Sequence, residues 1–112
     1  MPTLDLTSEN FAQTVSDNHT VLVDFWAEWC GPCKQFGPVY DKASTTRDNV
    51  VFGKVDIDAN ADLAEKFHIR AVPTLAVIRD GVLLHSQPGA LSGPALEALL
   101  DAVEKLPANV EK

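Results

Sequence analysis

The sequence predicts a single-domain α/β protein. Three observations carry that expectation: strand-like and helix-like segments alternate along the chain, the apolar run Val21 to Trp26 leads directly into a helix-start motif, and Asp80-Gly81 separates two strand-like runs as a hairpin turn. One domain is expected over residues 1–112, with 107–112 as a polar tail.

The elements follow in order. A short strand is expected near Leu4 to Leu6, and Thr7-Ser8-Glu9 reads as a helix start leading into Phe11, Ala12 and Val15. Val21 to Trp26, dense in β-formers, has the length of a central strand. A second helix should run from Cys30 into the 40s, with Pro38 removing one of its hydrogen bonds and kinking it. Val50 to Val55 is a third strand, and Asn60 to Phe67 a third helix with Leu63, Ala64 and Phe67 inward. Leu75 to Ile78 and Val82 to His85 form the hairpin, and Ser92 caps a last helix in which Leu96, Leu99, Leu100 and Val103 share one face. The order is βαβαβ followed by αββα.

Composition narrows the function. The 112 residues are 46% apolar, enough for one core that buries about two-thirds of the unfolded surface. Sixteen acidic against nine basic residues give a net charge of −7, which argues against a nucleic-acid backbone or an anionic membrane as partner. Residues 1–20 lack the basic start and apolar run of a signal peptide, and no apolar stretch approaches the ~18 residues of a membrane span. A cytoplasmic, monomeric protein that acts on other proteins is expected.

Both cysteines lie in Trp29-Cys30-Gly31-Pro32-Cys33. If Cys30 opens a helix, Cys33 stands one turn on along the same face, with Cβ atoms roughly 5–6 Å apart, close enough to form a disulfide. The unpaired amides and positive dipole end of a helix start favour a thiolate at Cys30. Cys30 is therefore expected to be the nucleophile and Cys33 the deeper, resolving thiol. Pro32 suits a first helical turn, and Gly31 leaves the approach to the sulfur open. Other readings are poorer in donors. Zinc would need His19, His68 or His85, which are scattered, covalent haem would need His where Lys34 stands, and an iron–sulfur cluster would need two more thiolates. A structural staple across two residues would restrain the unfolded chain little.

Asp24 falls in the middle of the central strand, where a carboxylate should be largely buried and its pKa raised. Such a group could pass a proton to or from Cys33. Lys54, one strand over, could stand near it and offset the rise; the competing reading is a structural Asp24–Lys54 ion pair.

The run from Val23 through Lys34, with Pro38, Lys54-Val55-Asp56, Ala71-Val72-Pro73-Thr74 and Gly89-Ala90-Leu91-Ser92, resembles the thioredoxin family over about residues 3–106. The resemblance implies a mixed five-stranded sheet flanked by four helices, with the cysteines at the tip of the second. It implies a protein-disulfide reductase in which Cys30 attacks, Cys33 resolves, Asp24 moves the proton of Cys33, Lys54 is its electrostatic neighbour, and Gly31 and Pro32 tune the potential. No bound cofactor is implied; electrons would come from NADPH through a separate flavoprotein, thioredoxin reductase. Pro73 would be cis. Trp29, Gly31, Pro32, Val72, Pro73, Gly89 and Ala90 would form the apolar rim on which disulfide-containing substrate proteins dock.

Trp26 reads as a core residue. Arg70, Pro88 and Phe36-Gly37 depart from the family pattern and bear on partner choice, since rim charge steers docking. Two other functions share the motif: an oxidase or isomerase, which would place a charged or polarisable residue before the second cysteine, and a redox-independent docking module.

Overall fold

The computed structural model describes residues 3–106; the expected tail at 107–112 lies outside them. The elements are β1 (Thr3–Asp5), α1 (Phe11–Asp17), β2 (Thr20–Trp26), α2 (Gly31–Ser44), β3 (Val51–Asp56), α3 (Ala61–Lys66), β4 (Thr74–Arg79), β5 (Val82–Pro88) and α4 (Gly93–Glu104). They form the thioredoxin fold: one mixed sheet in the order β1-β3-β2-β4-β5 with helices on both faces. β1 and β2 lie parallel to β3, whereas β4 is antiparallel to both β2 and β5.

β2 is the axis of the molecule because it is paired on both edges and covered on both faces. Its alternate residues serve two cores. Val21, Val23 and Phe25 pack with Phe11 of α1 and Leu63 of α3, while Leu22 packs with Phe36 and Tyr40 of α2 and Leu96 and Leu100 of α4. Asp24 and Trp26 are in phase with Leu22, so the strand turns both toward the α2 side.

Most element boundaries shift by a residue or more from expectation, and three elements show why. α1 begins at Phe11 rather than Thr7, because Thr7 to Asn10 close a turn of their own: the Thr7 amide donates to Asn10 Oδ1 at 2.7 Å, and Thr7 Oγ1 accepts from the amides of Glu9 at 3.2 Å and Asn10 at 3.3 Å. β3 starts and ends one residue later than its apolar run, since its pairing with β2 extends to Trp26↔Asp56. β5 continues past His85 to Pro88, where it still faces Thr74. Within the hairpin, Ile78 faces Leu83 but Val77 faces His85, which leaves Leu84 as the extra residue of a bulge. The turn itself has φ of 52° at Asp80 and 81° at Gly81, both left-handed, as a tight two-residue hairpin requires. α2 is unbroken across Pro38, and Ser92 Oγ caps α4 by accepting from the Ala95 amide at 3.2 Å.

Gly53 is the one glycine of the described residues whose surroundings leave no room for a side chain. A Cβ there would overlap Cδ1 of the fully buried Leu6 and stand 3.3 Å from the Leu22 carbonyl oxygen, while the Gly53 carbonyl accepts from Tyr40 Oη at 2.8 Å. Gly53→Ala should therefore lower unfolding stability by about 1–3 kcal/mol through overpacking, measured by denaturant unfolding. Unchanged stability would mean that Leu6 repacks freely.

Candidate active site

β2 ends at Trp26, and the chain turns through Ala27, Glu28 and Trp29 before α2 begins. The Cys30 amide donates to the Ala27 carbonyl at 3.2 Å, and Cys30 itself is the extended residue that caps the helix, with φ −90° and ψ 113°. Its sulfur accepts from the Cys33 amide at 3.1 Å, taking the place of a capping oxygen. Cys30 and Cys33 are joined as a disulfide with Cα atoms 5.3 Å apart. With Ala27 they form a small apolar cluster against Trp26, Ile57 and Val72.

Cys33 is not the deeper of the two in this oxidised pair: residue exposures are 4% for Cys30 and 7% for Cys33. Their surroundings separate them instead. Cys30 Sγ lies at the helix start, 3.6 Å from the Val72 carbonyl oxygen, whereas Cys33 opens into a crevice of about 190 Å3 that it shares with Asp24, Trp26, Lys34 and Lys54. Among the described residues, the Cys33 amide is the only hydrogen-bond donor to either sulfur.

Asp24 stands at the inner end of that crevice. Its residue exposure is 1%, its Oδ1 has no hydrogen-bond partner among the described residues, and burial pushes its pKa up to about 7 against the partly opposing charge of Lys54, with Asp41 adding a smaller upward push. Lys54 faces it across the parallel β2–β3 register, yet the two form no ion pair. The structural ion pair weighed from the sequence is therefore not made. Trp26, expected in the core, is half-buried and carries Lys54 Nζ over its ring, 5.6 Å from the centroid. Nearby, burial holds the Tyr40 phenol well above its usual pKa, so that it stays a donor.

The segments expected to form a rim converge around the disulfide. Val72-Pro73 is a cis peptide, and Val72 packs against the cysteine cluster. The Gly89 amide donates to the Pro73 carbonyl at 2.8 Å, which ties the end of β5 to this loop; Gly89 has φ of 104°, a conformation that favours glycine. Gly31, Pro32, Gly89, Ala90 and Arg70 are exposed. Trp29 is 68% exposed, and its Nε1 donates to Asp58 Oδ2 at 2.8 Å. Asp58 was not among the residues singled out from the sequence. Its only signal there is its place in the Asp-x-Asp loop after β3, where Asp56 Oδ1 accepts from the Asp58 amide at 2.9 Å.

The histidines lie elsewhere. His19 pairs with Asp80 at the hairpin end of the sheet, His85 meets Gln87, and His68 ends the turn after α3 with φ of 55°. Among the described residues, no three His, Cys, Asp or Glu side chains are grouped to hold a metal ion, and no helix is long and apolar enough to cross a membrane.

Comparison with known proteins agrees with this geometry. The family model described as Thioredoxin matches residues 2–102. The chain is 55% identical over 104 residues to a protein named putative thioredoxin 2 of Streptomyces coelicolor, covering 93% of this chain and 78% of that one. It is 42% identical over 101 residues to the thioredoxin of Pseudomonas aeruginosa, covering 88% and 94% of the two chains. Among solved structures, a mutant thioredoxin from Halobacterium salinarum superposes with a TM-score of 0.86 at 32% identity over 94% of this chain and 93% of that one. Plasmodium falciparum thioredoxin superposes with a TM-score of 0.84 at 38% identity over 89% and 98%.

The raised pKa of Asp24 fixes the sign of a pH effect. The folded state holds its proton up to about pH 7, whereas the unfolded state releases it near the ordinary carboxylate value of 3.8. Stability contributed at this position is therefore greatest at acid pH and falls as pH rises through that window. Relative to wild type, Asp24→Asn should gain roughly 4 kcal/mol of unfolding stability between pH 4 and pH 8, measured by denaturant unfolding of both oxidised proteins. Parallel curves would show that Asp24 titrates normally.

Proposed function

Because the chain belongs to the thioredoxin family and has that family's protein-disulfide oxidoreductase activity, we propose that it works as a reductase of protein disulfides. The observation that carries this reading is the single backbone donor to the Cys30 sulfur. One amide and a helix start stabilise a thiolate enough to make it a nucleophile. Among the described residues no cationic side chain is hydrogen-bonded to either sulfur, and the exposed Gly31-Pro32 between the cysteines is uncharged. The dithiol is thus left reactive without being so stable that the protein becomes an oxidant.

The exchange balances as follows. The Cys30 thiolate attacks one sulfur of a substrate disulfide and releases the other as a thiolate. Cys33 gives its proton to the Asp24 carboxylate through the shared crevice, and its thiolate attacks Cys30 Sγ. The Cys30–Cys33 disulfide forms, the second substrate thiolate leaves, and two electrons have passed to the substrate. Lys54 modulates Asp24 from the facing strand, and Gly31 and Pro32 set the potential. Trp29, Val72, Pro73, Gly89 and Ala90 receive the substrate backbone around the sulfur, with Arg70 as the nearby charge that biases partner choice. NADPH, through the flavoprotein thioredoxin reductase, restores the dithiol, and no cofactor is bound by this chain itself. Residues 1–112 work as one monomeric domain in the cytoplasm.

Cys33→Ser tests the division of roles. Mixed with a disulfide-containing protein, it should accumulate a covalent complex through Cys30 that a small thiol releases, while Cys30→Ser forms none. Trapping through Cys33 in Cys30→Ser, with none in Cys33→Ser, would reverse the assignment.

A further inference from the structure

Opposite charges side by side in a narrow crevice ordinarily close into a contact pair, yet Lys54 and Asp24 do not. They face each other across β2 and β3, both line the same pocket, and Asp24 Oδ1 is left without a partner among the described residues. The flexible lysine has a second place to put its ammonium. Trp26 lies two residues along β2, on the same face as Asp24, and the Lys54 Nζ stands over its indole ring. We propose that Trp26 is a positioning residue, holding Lys54 on its ring face so that the lysine acts on Asp24 through space without binding it and leaves the carboxyl free to exchange a proton with Cys33.

The other groups around Asp24 cannot substitute for this restraint. From α2 come Cys33, the Tyr40 phenol, which is committed to the Gly53 carbonyl, and the negative Asp41; Lys34 and Glu28 stand with Cys33 along the crevice. Lys54 is the one charge among them that opposes the upward push of burial on Asp24. Its exact distance therefore decides whether the carboxyl exchanges protons near neutrality or stays ionised as one half of an ion pair.

This inference rests on the reading of Asp24 as the proton-exchanging group, but it can be tested apart from that role. In the oxidised protein the cysteines do not titrate, so the 13C shift of the Asp24 carboxyl against pH reports this group directly. Wild type should show a midpoint of about 7, and Trp26→Leu, which keeps apolar bulk but removes the ring face, should lower it by about one pH unit as Lys54 swings onto Asp24. In a Lys54→Met background the same Trp26→Leu change should leave the midpoint in place, and Trp26→Phe should retain most of the wild-type value. An equal fall with and without Lys54 would show that Trp26 merely keeps water out, and no fall in either background would overturn the restraint. Should Trp26→Leu fail to fold, wild type alone decides: the Lys54 ε-methylene protons should be shifted upfield by the indole ring, and shifts at ordinary lysine positions would overturn the proposal. Loss of the proton-transfer reading would show separately, as an Asp24→Asn rate of mixed-disulfide resolution equal to wild type with the titration result intact.

Discussion

The Cys33 amide reaches the Cys30 sulfur only because Cys30 occupies the last extended position before α2, and the chemistry of the molecule is organised around that contact. A helix start offers several amides without internal partners, and here a sulfur rather than a capping oxygen receives one of them. The stabilisation is modest, about 0.3–1 kcal/mol for a charge at an exposed helix end and up to ~2 kcal/mol where partly buried. A modest effect suits a reductant. Stronger stabilisation of the thiolate would favour the reduced dithiol and turn the same fold toward oxidation.

The position of that helix start is dictated from below by β2. The strand is paired on both edges and covered on both faces, so its end is fixed, and the short turn through Ala27 to Trp29 delivers Cys30 to a defined place. The same strand carries Asp24 beneath α2 on the side of Cys33. Burying a carboxyl with an unpartnered oxygen costs stability, and the cost is lowered by keeping the group protonated up to neutral pH. The fold thus tolerates an unfavourable electrostatic position beneath the disulfide, at the place where the proton transfer is proposed.

Much of this was legible in the sequence, for identifiable reasons. Apolar runs, helix-start signals, helical periodicity and the Asp80-Gly81 turn place all nine elements in order. The cysteine spacing and the acidic residue inside an apolar strand point to the site from the sequence alone. Features that depend on how separate segments meet were not legible. The Leu84 bulge, the Thr7–Asn10 turn and the Trp29–Asp58 hydrogen bond each arise from loop geometry that no local pattern encodes. The cis bond before Pro73 came only from family resemblance, since most bonds to proline are trans. The relative depth of the cysteines is not legible for a similar reason: Cys30 packs against the distant Val72 segment as well as against its chain neighbours. Lys54 could be placed opposite Asp24 from strand order, but its commitment to the Trp26 ring required the side chains.

The reduction potential of the Cys30–Cys33 pair, measured by alkylation trapping across a series of thiol redox buffers, tests the reductase account most directly. For a two-electron couple, about 30 mV corresponds to 1.4 kcal/mol, so the scale separates the alternatives cleanly. A backbone-only thiolate site with an uncharged intervening dipeptide predicts a potential below the cytosolic glutathione range. A value of about −180 to −120 mV, where oxidative-folding catalysts operate, would contradict it.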